Sequence, residues 1–431
     1  YTIDGCIHWL MGYREDDPYH QLYREIGALD GVTLRRLDHF TRLIDESSGH
    51  TLDFDRDLAG LLGQVEAMAP RDLAVVRDFV ELAQHAEHMP MIVPQPFGAG
   101  MRGLWTSVVE LWHARDRVML MLRHLEPMSS LAERVEHPTL KYALGQLFLG
   151  DMPVAFAAML LGELARGNLA TVDGGSQRFS DAIARRFESL GGRIRWRADV
   201  GEILVERDRA VGVKLIDGEE LRADHVISTA PGPTTIFRML GGRYTDAALR
   251  ERYASWPMFG AISMLSFGVR RRWLEQPHAL HLRLASPIDF GPTRIGALTI
   301  RNMAYDPSLA PPGASMIQVL VESNFDFWHD VHHAPLRYHE LKQQLAAALR
   351  APLERVYPGF AAAEEFVDVA TPYTFWRYAR SYRGAYEGWM PSGETGSAHI
   401  ERTLAGLHGF YMAGQWVEPG GGVPMLIPFI K

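Results

Sequence analysis

Cysteine is nearly absent: Cys6 is the single one in 431 residues. A disulfide needs two, so no internal disulfide framework exists, nor a zinc site built from cysteines. A reducing, cytoplasmic setting is the expectation that follows. Lysine is scarce too, occurring only at Lys141, Lys214, Lys342 and Lys431. Positive charge of either kind is outnumbered, with 44 Lys and Arg against 52 Asp and Glu and a formal net charge of −8. Such a chain is poorly suited to neutralising a phosphate backbone, so nucleic-acid binding is not expected. Long apolar runs are missing. The most apolar stretch, around residues 147–164, is broken by Asp151, Pro153 and Glu163, which is unlike a membrane span. No internal repeat or low-complexity segment occurs.

What is present describes an ordinary globular protein, with 47 % apolar and 22 % charged residues. At roughly 100–200 residues per domain, two or three domains are expected. The chain opens on Tyr1-Thr2-Ile3-Asp4-Gly5-Cys6-Ile7-His8-Trp9, which reads as strand and loop already inside a fold. It has no charged segment followed by an apolar one, as a signal peptide would have. It stops at Phe429-Ile430-Lys431, within an apolar run. Truncation at both ends is the expectation.

Periodicity divides the chain. Residues 17–70 read as short mixed elements, with 34–43 and 58–68 helical by spacing. Residues 70–166 are helical nearly throughout: one helix opens at Pro70 and runs through Leu73, Val76, Phe79, Val80 and Leu82, and others cover 104–125 and 140–164. Their Met, Leu, Trp and Phe content suits either the core of a helical subdomain or a lid over an apolar pocket. Residues 168–230 change character. Asp173-Gly174-Gly175-Ser176 precedes a helix over 179–190 that stops at Gly191-Gly192. Short strand-like runs follow at 193–196, 201–206, 211–216 and 225–228, with Asp217-Gly218 as a hairpin turn. Strands are expected at 261–269, 280–284, 295–300 and 316–321, with a helix over 336–356.

Two glycine clusters compete as nucleotide sites. Gly98-Ala99-Gly100-Met101-Arg102-Gly103 matches G-x-G-x-x-G literally. The segment before it carries Pro90, Pro94 and Pro96, which a central parallel strand does not tolerate, so the match reads as a decoy. The second cluster is better placed. Gly409-Phe410-Tyr411-Met412-Ala413-Gly414 reads as a short buried strand, and Pro419-Gly420-Gly421-Gly422-Val423-Pro424 follows it. Glycines there let backbone approach a ligand closely; a flexible loop is the alternative.

In order along the chain, these segments resemble bacterial phytoene desaturase-like and carotenoid isomerase-like flavoproteins of the amine-oxidase and glutathione-reductase-like superfamily. Four stretches carry the resemblance. They are the opening Tyr1-Thr2-Ile3-Asp4-Gly5-Cys6-Ile7-His8; Asp173-Gly174-Gly175 through Gly192, Val200, Ile203, Gly212-Val213, Asp217-Gly218 and Ala223-Asp224-His225-Val226-Ile227-Ser228-Thr229-Ala230; Asp306-Pro307-Ser308-Leu309-Ala310-Pro311-Pro312-Gly313; and Met412-Ala413-Gly414 with Gly420-Gly421-Gly422-Val423-Pro424. The resemblance implies an α/β fold. An FAD-binding parallel-sheet domain would be built from 1–70, 168–235 and 370–431. A helical cap would span 71–167, and a substrate domain of mixed or antiparallel sheet 236–369. The family's first nucleotide motif, a strand–turn–helix–strand unit of roughly 30 or more residues, would precede Tyr1.

The resemblance also implies roles. Val200 would meet the adenine through its backbone, Thr229 and Ala230 the ADP half, and Gly414 the ribityl chain. Gly420, Gly421, Gly422, Val423 and Pro424 would lie by the isoalloxazine. Gln415 stands where many members carry an acid, and an amide still hydrogen-bonds there. Hydride exchange with the flavin leaves a proton to be moved. His8, which titrates near neutrality in its ordinary state, is the candidate base, with a structural histidine as the alternative. Trp376, Tyr378, Tyr382 and Trp389 would line a polyene tunnel or simply pack as core. Arg377, Arg380 and Arg383 recur every three residues, as a polar rim or a solvated face. Asp326, His329, Asp330, His332 and His333 have ligand spacing on a helix. Nothing at a predictable distance adds another ligand, so no metal site is expected.

The resulting expectation is an FAD-dependent oxidoreductase that desaturates, saturates or isomerises C–C double bonds of a long apolar or polyene substrate. Peripheral membrane contact stays open because such substrates partition into lipid, and the oligomeric state is not set. The alternatives are an amine-oxidase-like flavoenzyme on a small substrate and a flavin-free scaffold that retains the fold.

Overall fold

A computed structural model describes residues 1–5, 7–87, 123–148, 151–392 and 400–417, with positions 115, 119 and 395. Its frame is a seven-stranded sheet in the spatial order Glu364–Ala370, Ile262–Val269, Ser315–Glu322, Thr293–Asn302, Ala279–Phe290, His39–Asp45, His50–Asp55. Every neighbouring pair is antiparallel except Ala279–Phe290 with His39–Asp45, which runs parallel in the register Leu280↔Arg42 to Arg283↔Asp45. Strand alternation gives this sheet two different faces. Leu265, Phe267, Leu282, Ile300 and Val319 point one way. The helix Pro335–Val356 covers them with Leu341, Leu345, Leu349 and Leu353, spaced four apart. On the other face the same strands carry His281, Thr299, Arg301, Gln318 and Ser266, polar groups turned toward the functional half of the molecule.

That second face meets a helical cap. Leu73–Glu87 packs along Val154–Ala165 around Val76, Phe79, Ala83, Ala157 and Leu161, and Phe148 stacks with Phe40 at 5.9 Å. Three smaller sheets complete the chain. Leu34–Arg36 and Leu10–Met11 flank Leu169–Val172; Val200–Glu206, Arg209–Leu215 and Glu220–Arg222 form a meander; Val226–Ser228 pairs in parallel with Phe410–Met412.

Several sequence expectations change. Residues 34–43 are two strands, Leu34–Arg36 and His39–Asp45, because pairing Leu34↔Val172 and Leu43↔Leu52 buries what a helix face would have buried. The strand Leu10–Met11 begins after the expected opening one. The 140–164 helix is two, Pro138–Gln146 and Val154–Ala165, separated where Pro153 cannot donate to the ladder. No strand forms at 193–196, and a helix, Pro372–Ala379, follows the strand Glu364–Ala370. Residues 39–55, placed by sequence with the nucleotide half, form the last two strands at one end of the large sheet. Gly98–Gly103 and most of 104–125 lie outside the described residues.

A buried charge cluster ties the cap to the N-terminal part. Asp17 caps the helix Pro18–Glu25 through the Tyr19 amide at 2.9 Å, accepts from Asn168 Nδ2 at 2.8 Å and pairs with Arg166. Arg166 also reaches Glu163 at 3.2 Å. The Asp17 side chain has no exposed surface, so removing it strands a largely buried guanidinium. Asp17→Ala should cost about 3–5 kcal/mol in denaturant unfolding. Asp17→Asn, which keeps the cap acceptor, should cost clearly less.

Candidate functional site

Arg301 pins the opening segment to the middle of the large sheet. Arg301, 5 % exposed, donates to the carbonyls of Asp4 and Ile7 at 3.2 and 3.1 Å and to Gln318 Oε1 at 3.0 Å. Gln318 Nε2 in turn donates to Ser266 Oγ at 3.2 Å. On the other side of the segment, Asp4 accepts a hydrogen bond from the Ser176 hydroxyl. Ser176 begins the helix Ser176–Ser189, and the turn before it holds Gly174 and Gly175 at φ +83° and +86°. The Gly174 amide donates to Asp306 Oδ2 at 2.6 Å, and the Ser308 amide donates to Asp306 Oδ1 at 2.9 Å. The Thr2 amide closes the node on the Leu309 carbonyl at 2.7 Å. Three stretches far apart in sequence therefore meet here: the opening, the 173–176 turn and the 306–313 stretch.

The second node is the parallel pair Val226–Ser228 and Phe410–Met412. Parallel strands end on the same side, and ligands in open α/β sheets bind at carboxyl ends. Thr229 and Ala230 follow one strand, Gly414 and Gln415 the other, with the Ala413 amide bonded to the Ser228 carbonyl at 2.9 Å. Gly414 holds φ +95°, a conformation that disfavours a side chain. Val200 opens the neighbouring meander and packs in the same cluster as Ala230. Small side chains and bare backbone thus face outward at this crest. Beside it, the buried indole N–H of Trp416 has no acceptor among the described residues. A free donor next to open backbone fits a cofactor with a polar chain, so the residues present suit FAD. Gly420, Gly421, Gly422, Val423 and Pro424 lie outside the described residues.

A third segment runs beside this crest. The Gly388 carbonyl accepts from the Phe259 amide at 3.0 Å, and a Cβ on Gly388 would run into the Gln415 carbonyl. Trp389 Nε1 donates to the Trp416 carbonyl at 3.0 Å. Glu387 is therefore carried by backbone locked against the 414–416 turn. Burial pushes its carboxyl up to about 7. Tyr386, packed on Phe259 with ring centres 4.9 Å apart, is raised by burial too. Sequence reasoning passed over Glu387. The available signal was an acid flanked by Tyr386 and Trp389 just upstream of the flavin loop.

His8, His278 and His281 are held neutral. Burial, with the Arg301 charge adding, pushes His8 down to about 3. His8 is therefore a neutral imidazole throughout the physiological range, not the near-neutral titrating group expected from its ordinary state. His278 falls to about 3, from burial first and then from His39 and Arg301. His281 falls to about 4 by burial alone and shares a 2.8 Å hydrogen bond with Tyr142 of the cap.

The four aromatics expected in one wall separate. Trp389 has no exposed surface and packs with Tyr253, Trp256 and Trp416 at 4.8–5.4 Å, and Tyr382 meets Trp416 at 5.9 Å, so these two belong to the packing beneath the crest. Tyr378 is 75 % exposed under Arg377, and Trp376 packs on His329 at 5.4 Å. The cause is local: Arg380 and Arg383 adopt φ +55° and +51°, which turns the chain between the two pairs. Both arginines form ion pairs, with Asp199 and Asp326.

This fold and these two nodes are those expected of a nucleotide-cofactor protein with a separate large mixed sheet. A family model described as flavin containing amine oxidoreductase matches residues 1–425, and the chain belongs to that family, whose cofactor is FAD. Among curated relatives, prolycopene isomerase of Arabidopsis thaliana is 28 % identical over 284 residues, 63 % of this chain and 46 % of that protein. The match thus spans about half the length of the plant relatives. Phytoene desaturase (lycopene-forming) of Pseudescherichia vulneris is 27 % identical over 94 % of this chain and 85 % of its own. In fold, the chain is similar to an oxidoreductase from Methanosarcina mazei (TM-score 0.58, 16 % identity, 99 % of this chain and 87 % of that one). It is also similar to a putrescine oxidase variant (TM-score 0.56, 13 % identity, 100 % and 88 %).

Two outcomes follow from this geometry. Gly388→Ala should lower the flavin-to-protein absorbance ratio of the purified full-length protein far more than it lowers secondary structure by circular dichroism. His8, His278 and His281 bind fewer protons folded than unfolded between about pH 3 and 6.5. Stability should therefore fall as pH falls through that window. His278→Asn should flatten the acid limb of melting temperature against pH.

Proposed function

We propose that the protein is an FAD-dependent oxidoreductase acting on C–C double bonds of a long apolar polyene, by desaturation, saturation or isomerisation. One observation carries the reading: several titratable side chains between sheet, cap and opening segment are held uncharged, and the charges that remain there, Arg301 and the Asp45–Arg283 pair, are satisfied by partners of their own. Neutral His8, His278 and His281, with Tyr142 raised to about 12 by burial, make a wall that does not penalise a hydrocarbon. Trp9, Met11 and Phe40, partly buried against the cap cluster, add apolar surface at the same boundary. The relatives named for phytoene and prolycopene support the same substrate class.

Thr229, Ala230, Gly414 and Gln415, with Val200, would hold the cofactor through backbone and small side chains. FAD, when bound, supplies hydride acceptance and donation at its ring. The chain's own task is then to orient the polyene and move a proton. Glu387 suits the second task, since a carboxyl of pKa about 7 is poised between acid and base at working pH. His8 would contribute a neutral hydrogen-bonding edge beside Arg301. Among the described residues, no helix is long and apolar enough to cross a membrane. Delivery of the substrate from lipid would then use peripheral contact.

The test is incubation of the FAD-loaded full-length protein with phytoene or prolycopene in liposomes, without oxygen and with pigments resolved by chromatography. The expected result is flavin bleaching with new double bonds, or conversion of geometric isomers. Absence of bound flavin, or no polyene turnover together with peroxide release from amines in a parallel incubation under air, would overturn the reading. Glu387→Gln should lower turnover by about 10²–10⁴-fold and remove a pH dependence centred near 7. Its stability effect has the opposite sign. The folded state binds the extra proton between about pH 4.5 and 7, so wild-type stability falls as pH rises through that window. Glu387→Gln should therefore melt higher than wild type at pH 8.

A further inference from the structure

The histidines that share a helical spacing play no part in the flavin site. His329 lies in the last turn of Phe325–Val331, and His332 and His333 follow that helix directly. Steps of three and four residues return side chains to one side of a helix. One ligand atom from each of the three lies within 4.8 Å of the others. Ring centres are 5.0 Å apart for His329 and His332, 5.9 Å for His329 and His333, and 3.9 Å for His332 and His333.

The surroundings hold two of these rings in place. Tyr373 stacks on His332 at 3.9 Å, and Trp376 meets His329 edge-on at 5.4 Å, both from the helix Pro372–Ala379. His332 Nδ1 donates to the His329 carbonyl. That bond fixes the tautomer and leaves the Nε2 lone pair available, which is how proteins commonly prepare an imidazole ligand. Neighbouring cations are already paired: Arg383 with Asp326, and Arg380, which lies over Trp376, with Asp199. His329 and His332 are half-buried and His333 is exposed, so the set is anchored inside and open to solvent.

We propose that His329, His332 and His333 bind one borderline divalent transition-metal ion, of the zinc, copper(II), nickel or cobalt type, with water completing the coordination. Three neutral imidazoles match such ions, whereas magnesium and calcium favour oxygen donors. The missing fourth protein ligand, which led the sequence reading to set the cluster aside, is not required. Open zinc sites use three protein ligands and one water. With Zn–N near 2.0–2.1 Å, rotation of the exposed His333 ring closes the remaining distance. The site stands independently of the proposed reaction.

The experiment uses untagged, chelator-treated full-length protein, titrated calorimetrically with zinc chloride and separately with magnesium chloride. Expected are one histidine-dependent zinc ion per chain, bound with an affinity on the order of micromolar or tighter, and no magnesium heat. His333→Ala, at an exposed position, should weaken zinc at least about tenfold. The double variant His329→Ala/His333→Ala should abolish that site while keeping its flavin content. Zinc should raise the wild-type melting temperature and leave the double variant's unchanged. Should the double variant fail to fold, His333→Ala decides alone. No zinc uptake, uptake unchanged by His333→Ala, or equal binding of magnesium would overturn the proposal.

Discussion

A single buried guanidinium organises the functional half of this protein. Arg301 carries a buried guanidinium, and a charge that deep is tolerated only when its donors are satisfied. The acceptors are the carbonyls of Asp4 and Ile7 and the Gln318 side chain. The opening segment is thereby drawn onto the sheet, and it brings His8 within the field of Arg301, which adds to burial in keeping that imidazole neutral. The same segment carries Asp4 to Ser176, so one interaction on the sheet also positions the helix that begins at the 173–176 turn.

The sheet makes this possible by having two unlike faces. One carries a large apolar cluster closed by the helix Pro335–Val356, which frees the other to carry His281, Arg301 and Gln318. Polar groups in that position need partners from outside the sheet. They obtain them from the cap through Tyr142 and from the opening segment through its carbonyls. Cap, sheet and opening segment thus join through hydrogen bonds, with large hydrophobic clusters behind them.

Much of this was legible locally. The Asp217-Gly218 turn, the 336–356 helix and the short strand before Gly414 follow from turn chemistry, periodicity and glycine placement, and they stand within a residue or two of their expected bounds. Residues 34–43 were misread because spacing cannot tell a helix face from strands whose partners are distant in sequence. Trp376, Tyr378, Tyr382 and Trp389 were misread as one group because the positive φ of Arg380 and Arg383 has no marker in a residue type that rarely adopts it. Glu387 went unnoticed because its raised pKa comes from burial alone.

By itself, the sequence determined many of the elements, the order of the four stretches and hence the family, since these depend on residue identity at short range. It also determined which residues could carry a cofactor's backbone contacts, because glycine and alanine are recognisable wherever they stand. Only the tertiary structure decided protonation and company. Whether an imidazole is neutral, a carboxyl poised near 7 or an aromatic ring exposed depends on what other segments bring within a few ångströms. The parallel pairing of Val226–Ser228 with Phe410–Met412, about 180 residues apart, is the clearest case. Each strand alone is three mostly apolar residues, and only their shared direction puts Thr229 and Gly414 at one end.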